Sequence, residues 1–154
     1  MEARKDRLAW PDHHMLLALV TAQRSPDPNT QVGACLVDKK NRVLSLGYNG
    51  PPRGMAVSAM PWNREGDSPL DTKYPFVVHA EANAILNSSS KLDGSRLFST
   101  LYPCQECSKL IISVGIKEII YLSNPYKDTW QIKASKHMLD MTDTITKQHE
   151  WLND

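Results

Sequence analysis

His79 and Glu81 stand two residues apart in Val78-His-Ala-Glu-Ala-Asn-Ala-Ile85, and Cys104 and Cys107 stand three apart in Tyr102-Pro-Cys-Gln-Glu-Cys107. Two thiolates at that spacing can grip one metal ion from a helix N-terminus, where the dipole and free N–H groups favour anionic sulfur. His79, 25 residues upstream of Cys104 and also at an expected helix start, supplies a third donor. One histidine and two cysteines leave the fourth position of a tetrahedral zinc open to water, which marks a catalytic rather than a structural metal. Zinc lowers the pKa of such a water to about 7. Positions two apart on a helix do not face each other, so the expected division of labour is that His79 binds while Glu81 moves protons.

A lone H-x-E is common, and a lone C-x-x-C also serves redox or four-ligand zinc sites. Together, H-x-E followed by P-C-x-x-C, with the glutamate not a ligand, is the signature of zinc-dependent nucleobase deaminases.

The elements that must position these groups can be read from punctuation and period. Trp10-Pro-Asp12 starts a helix, with proline in the first turn. Apolar positions continue it from Met15 to Ala22, and Ser25-Pro-Asp-Pro-Asn29 ends it. Gln31–Asp38 and Arg42–Tyr48 read as strands of a hairpin turned at Lys39-Lys-Asn41. From Asn49 to Pro75 prolines and glycines dominate without period, a length that in a compact domain marks a functional loop. Helix 79–87, strand 95–101, helix 105–114 closed by Gly115, strand 117–122, helix 129–141 and a last strand 143–147 follow, with Pro103 expected in the first helical turn. This alternation implies parallel strands with crossover helices. The expected architecture is a single α/β domain over 1–154, three-layer α/β/α, with a mixed five-stranded sheet and helices on both faces.

Composition narrows the partners. The chain has 154 residues, 41% apolar and 23% charged, with 18 basic and 17 acidic residues and a net charge of +1. That balance argues against broad nucleic-acid binding, which shows as a basic surplus. No run of about 18 apolar residues could span a bilayer, and the charged start MEARKDR shows no secretory signal. Three cysteines, an odd number, make no disulfide framework and favour a reducing, cytoplasmic setting. Cys35 in its apolar run is expected in the core. His13, His14, His137 and His149 lack partner spacing and are expected at the surface or at helix edges.

The chain resembles the deoxycytidylate (dCMP) deaminase family, of the cytidine deaminase fold. The resemblance extends over Ala22–Cys35, Gly47-Tyr-Asn-Gly50, Leu70–Pro75, His79-Ala-Glu81, Cys104–Ile112 and Gly115–Glu118. It implies hydrolytic deamination of dCMP to dUMP for thymidylate synthesis. It makes His79, Cys104 and Cys107 ligands of one catalytic Zn2+ and Glu81 the proton shuttle. Ala80, Tyr102 and Pro103 would hold the pyrimidine edge, Asn49 the sugar hydroxyl, and Arg24, Ser25 and Asn29 the 5′-phosphate. Also implied are dCTP and dTTP effectors between subunits near Gly47–Gly50, Mg2+ accompanying a triphosphate, and a homo-oligomer, a hexamer foremost. Gly50–Val78 contains neither Cys nor His, so one zinc per chain is expected. The competing readings are a deaminase of dCTP, cytidine or nucleic acid, and an inactive nucleotide-sensing subunit. The last would be expected to lose Glu81 or a ligand, and all four groups are present.

Overall fold

The computed structural model describes residues 1–152. In chain order it contains α1 (Trp10–Ala22), β1 (Gly33–Val37), β2 (Val43–Tyr48), α2 (Ala80–Asn87), β3 (Arg96–Leu101), α3 (Gln105–Ser113), β4 (Glu118–Ser123), α4 (Trp130–Met141) and β5 (Ile145–Gln148). The strands form one sheet in the order β2-β1-β3-β4-β5. β1 runs antiparallel to both β2 and β3, whereas β3, β4 and β5 are mutually parallel. The hairpin turn is closed by Asp38, whose Oδ1 accepts from the N–H groups of Lys40 and Arg42 at 2.8 and 2.9 Å. Asn41 takes the left-handed conformation there, with φ 63°.

Alternation along the strands sorts side chains to two faces. Cys35, Val37, Phe98 and Ile120 pack with Met15 and Ala18 of α1 on one side. Ala34, Leu36, Leu97 and Ile119 meet Ala80, Ala84, Cys107, Ile111, Ile132 and Leu139 of the other three helices on the second. The three-layer arrangement expected from the sequence is therefore present, with one helix against three. Cys35 is fully buried in the core. Among the described residues, no helix is long and apolar enough to cross a membrane.

Two strand glycines let helices lie directly on the sheet. A methyl group on Gly33 would sit 1.9 Å from the Ala18 carbonyl oxygen of α1. One on Gly47 would sit 2.3 Å from both the Ala80 carbonyl oxygen and the Ala84 amide nitrogen of α2. Beside Gly47, the Ser45 hydroxyl donates to the Ala84 carbonyl at 2.6 Å and fixes the same helix to β2.

The 49–75 segment carries more local order than its composition suggests. It contains short 3-10 turns at Val57–Ala59 and Pro69–Asp71, the second capped reciprocally by Ser68 and Asp71. Gly50 and Val78 form a two-residue antiparallel bridge that ties its ends together. Two histidines also differ from expectation. His14 is fully buried between Trp10 and Phe98, where burial lowers its pKa. His149 is buried with Nε2 3.0 Å from Asp12 Oδ1, so the C-terminal segment packs on the start of α1. Both depend on contacts distant in sequence, which spacing rules do not register.

Candidate active site

A cavity of about 320 Å³ opens at the carboxyl end of the sheet, within the size range of small-ligand pockets. Its lining includes His79, Ala80 and Glu81 from the start of α2, Tyr102 and Cys104 from the start of α3, and Asn49 after β2.

His79 is the residue before the first turn of α2, with extended dihedrals (φ −70°, ψ 156°). Its side chain is thus off the helical phase that Glu81 follows, and the two can converge despite their spacing. Cys104 plays the same part for α3, with φ −72° and ψ 173°, and Cys107 lies one turn on. Pro103 consequently precedes the helix rather than sitting in its first turn. It anchors the junction instead: its carbonyl accepts from the buried Ser135 hydroxyl at 2.8 Å, and Ser135 pairs with Ser108 at 2.6 Å. α4 thereby holds the Cys-x-x-Cys turn in place.

His79 Nδ1 lies 3.4 Å from Cys104 Sγ and 3.5 Å from Cys107 Sγ, and all three donor atoms fall within 4.8 Å of one another. Tetrahedral zinc with ordinary Zn–S and Zn–N bonds sets its S···N edges at about 3.6 Å. Both S···N edges of the donor set therefore match those of a zinc site. Glu81 is buried beside it: its Oε2 accepts from the Cys107 thiol at 3.6 Å and its Oε1 from the Ser99 hydroxyl at 3.4 Å.

These groups polarise one another. Hydrogen bonding with Cys107, opposed by burial and helped by His79, draws the Cys104 thiol down to about 4. Hydrogen bonding to Cys104 in turn lifts the His79 imidazole to about 9, against burial. Cys107, hydrogen-bonded to Cys104 and buried, is held well above an ordinary thiol. Burial raises the Glu81 carboxyl, opposed mainly by the charge on His79. A carboxyl raised in this direction moves toward the range that general acid–base work favours.

The remaining expected contacts divide. Asn49 lines the cavity, but its amide is largely engaged: Oδ1 accepts from Val32 N–H at 2.8 Å and Nδ2 donates to the Thr30 carbonyl at 2.9 Å. Arg24, Ser25 and Asn29 do not line it. Arg24 borders a separate concavity with Tyr48, Gly50, Arg53 and Asn83. The Ser25 hydroxyl donates to the Asn49 carbonyl at 2.8 Å, and Asn29 Nδ2 donates to the Trp62 carbonyl at 3.3 Å. The chain turns at Pro26 so that Asp27 and Thr30 face inward instead.

Sequence reading missed the cations that do border the cavity, Arg64 and Lys73. Lys73 is buried and ion-paired through Nζ to Asp27 Oδ2 at 2.5 Å. Arg64 Nε donates to the Tyr74 hydroxyl at 3.4 Å. Asp27 looked like a turn residue, and its partner is 46 residues away. A charged residue inside Leu70–Pro75, a stretch already singled out, was the available signal.

The sequence pattern described as the cytidine and deoxycytidylate deaminase zinc-binding region matches residues 8–123. The deoxycytidylate deaminase of Pongo abelii is 48% identical over 139 residues, covering 90% of this chain and 78% of that one. A probable deoxycytidylate deaminase of Drosophila melanogaster is 49% identical over 152 residues, covering 95% and 75%. Among solved structures, the dCMP deaminase of cyanophage S-TIM5 in complex with dCMP and dUMP superposes with a TM-score of 0.72 at 27% identity. That match covers 96% of this chain and all of the phage protein.

Proposed function

The chain belongs to the cytidine and deoxycytidylate deaminase family and is a hydrolase of the dCMP deaminase kind, from which we propose that it converts dCMP and water to dUMP and ammonia, the dUMP supplying thymidylate synthesis in the cytoplasm. The observation that carries this reading is the convergence of the His79, Cys104 and Cys107 donors with the buried Glu81 carboxylate at one cavity.

His79, Cys104 and Cys107 would hold one zinc ion, which when bound supplies Lewis acidity and an acidified water. Glu81 takes a proton from the attacking water and delivers it to N3 of the cytosine ring as oxygen adds to C4. It then carries a second proton to the amino group, which leaves as ammonia. The Ser99 hydroxyl steadies the carboxylate from the opposite side. The Ala80 N–H and the backbone of Tyr102 receive the pyrimidine edge, whereas Pro103, expected to share that contact, is absent from the cavity lining and holds the turn through Ser135. Asn49 offers the remaining lone pair of Oδ1 to the sugar hydroxyl. Regulation belongs to the same reading: dCTP with Mg2+, or dTTP, binds between subunits of a homo-oligomer at the concavity around Gly50, Arg24 and Arg53.

The test is ammonia release by zinc-loaded protein from dCMP, dCTP, deoxycytidine and cytidine, each with and without dCTP and dTTP. Turnover of dCMP above the others is expected, raised by dCTP and lowered by dTTP. Glu81→Gln should keep stoichiometric zinc and lose about 10²–10⁴-fold in kcat, and Cys104→Ser should lose the metal. Zinc-loaded wild type that releases no ammonia from dCMP would overturn the reading.

A further inference from the structure

Two buried serines meet beside the Cys-x-x-Cys turn. Ser108 of α3 and Ser135 of α4 are both fully buried, at a contact between helices where alanine would need no partner. A buried hydroxyl is costly unless hydrogen-bonded, and serine is a poorer helix former than alanine. Chemistry fixes which hydroxyl donates to which. Each has one O–H to give. The Pro103 carbonyl can only accept, so the 2.8 Å bond to it uses the Ser135 proton. The 2.6 Å bond between the hydroxyls must then run from Ser108 to Ser135. The result is a directed relay, Ser108 to Ser135 to Pro103, in which each bond polarises and strengthens the next.

This relay touches the cysteine turn on both sides. The Pro103 carbonyl shares a planar peptide unit with the Cys104 nitrogen, so holding that oxygen fixes the plane from which Cys104 starts. Ser108 follows Cys107 directly, and its N–H donates to the Cys104 carbonyl at 2.9 Å. One side chain of α4 thus grips the turn just before the first thiol and just after the second. Pro103, Ser108 and Ser135 do not line the cavity, so the relay bears on the thiols rather than on a substrate.

Groups that orient metal ligands change metal affinity about 10–100-fold when they are removed. Building on the proposed zinc site, we infer that Ser135 and Ser108 are positioning residues for Cys104 and Cys107, a hydroxyl latch through which α4 sets how tightly the chain retains its metal. A pair that only helped α4 to pack would alter melting and leave zinc affinity alone.

The experiment measures the zinc Kd of the full chain by competition with a chromophoric chelator, beside thermal melting. It compares wild type, Ser135→Ala, Ser108→Ala, the double variant and Leu139→Val. Leu139 is a fully buried α4 residue outside the relay, and its variant registers what loosened packing alone does. Ser135→Ala removes both bonds and should weaken zinc binding about 10–100-fold. Ser108→Ala keeps the Pro103 bond and should weaken it less. The double variant should bind no more weakly than Ser135→Ala, because Ser108 acts only through Ser135 and is otherwise a buried donor left unpaired. An unchanged Kd in Ser135→Ala, an equal weakening in Leu139→Val, or additive losses in the double variant would overturn the inference. Should Ser135→Ala fail to fold, Ser108→Ala decides alone: weaker zinc binding with an unchanged far-ultraviolet circular dichroism spectrum is expected, and a wild-type Kd overturns the inference. Wild type that binds no zinc would overturn the metal site itself, and the latch with it.

Discussion

Replacing Gly47 by alanine tests whether the close seating of α2 on the sheet is what aligns the active site. The added methyl would lie 2.3 Å from the Ala80 carbonyl oxygen and the Ala84 amide nitrogen, and 2.9 Å from Ala84 Cα. All three are backbone atoms, so no side chain can swing aside. Restoring ordinary contact moves the helix away by about 1 Å. His79 and Glu81 flank Ala80 and would be carried with it, while Cys104 and Cys107, held by α4 through Ser135, stay behind. A 1 Å misplacement at a reacting centre lowers kcat by about 10²-fold, or about 2.7 kcal/mol. Overpacking should also lower stability by about 1–3 kcal/mol. The assay is kcat for dCMP, zinc content and thermal melting, set beside Gly33→Ala. That second variant clashes with α1 at the Ala18 carbonyl, on the opposite face, and should lose stability without a comparable drop in kcat for the folded fraction. The reasoning fails if Gly47→Ala turns over and melts like wild type, or if the two variants lose kcat alike.

Two further outcomes are expected. Cys35 is fully buried and its thiol is pushed up to about 12 by that burial, so after chelation native protein should label first at Cys104, the half-buried thiol drawn down to about 4, with Cys35 reacting only in denaturant; mass spectrometry of early Cys35 labelling would contradict this. Burial lowers the His14 pKa below its unfolded value, so between the two values the unfolded chain binds more protons and stability rises with pH. As pH falls below about 6.5 stability should drop, and His14→Phe should flatten that part of the profile; denaturant midpoints from pH 8 to 5 with identical slopes for the two proteins would refute it.

Much of the architecture was legible because the strands and helices announce themselves locally: the Lys39–Asn41 turn, the alternation of Cys35 and Val37 against Ala34 and Leu36, and Gly115 after α3. Boundaries shifted by one residue where capping decides them, as at His79 and Thr129, both of which lie just outside their helices. The convergence of His79, Cys104 and Cys107 was legible for the same reason, since each half is a short motif at a helix start. The far end of the cavity was not. Arg24, Ser25 and Asn29 sit within a few residues of Asp27, yet the turn at Pro26 decides which of them faces inward. Lys73 and Arg64 arrive from the long loop, whose path is set by the Gly50–Val78 bridge and the Ser68 cap rather than by any period. His14 and His149 were misjudged for a related reason: burial of a polar ring follows from what the rest of the chain covers.

The placement of β1 between β2 and β3 has a consequence for how the chain leaves the ribosome. β1 and β2 can pair as soon as both emerge, and α1 can cover one face, but the second edge of β1 waits for β3. All five β1 residues, Gly33–Val37, are buried in the finished sheet, and their later partners are Arg96–Ser99. At about 5–20 residues per second, the roughly 60 intervening residues take about 3–12 s to synthesise. Through that interval the hairpin presents an unpaired, apolar strand edge, the kind of surface that recruits other chains. The long loop that brings Lys73 to the cavity thus also lengthens the vulnerable period of synthesis, and a holding chaperone would have its natural target at Gly33–Val37.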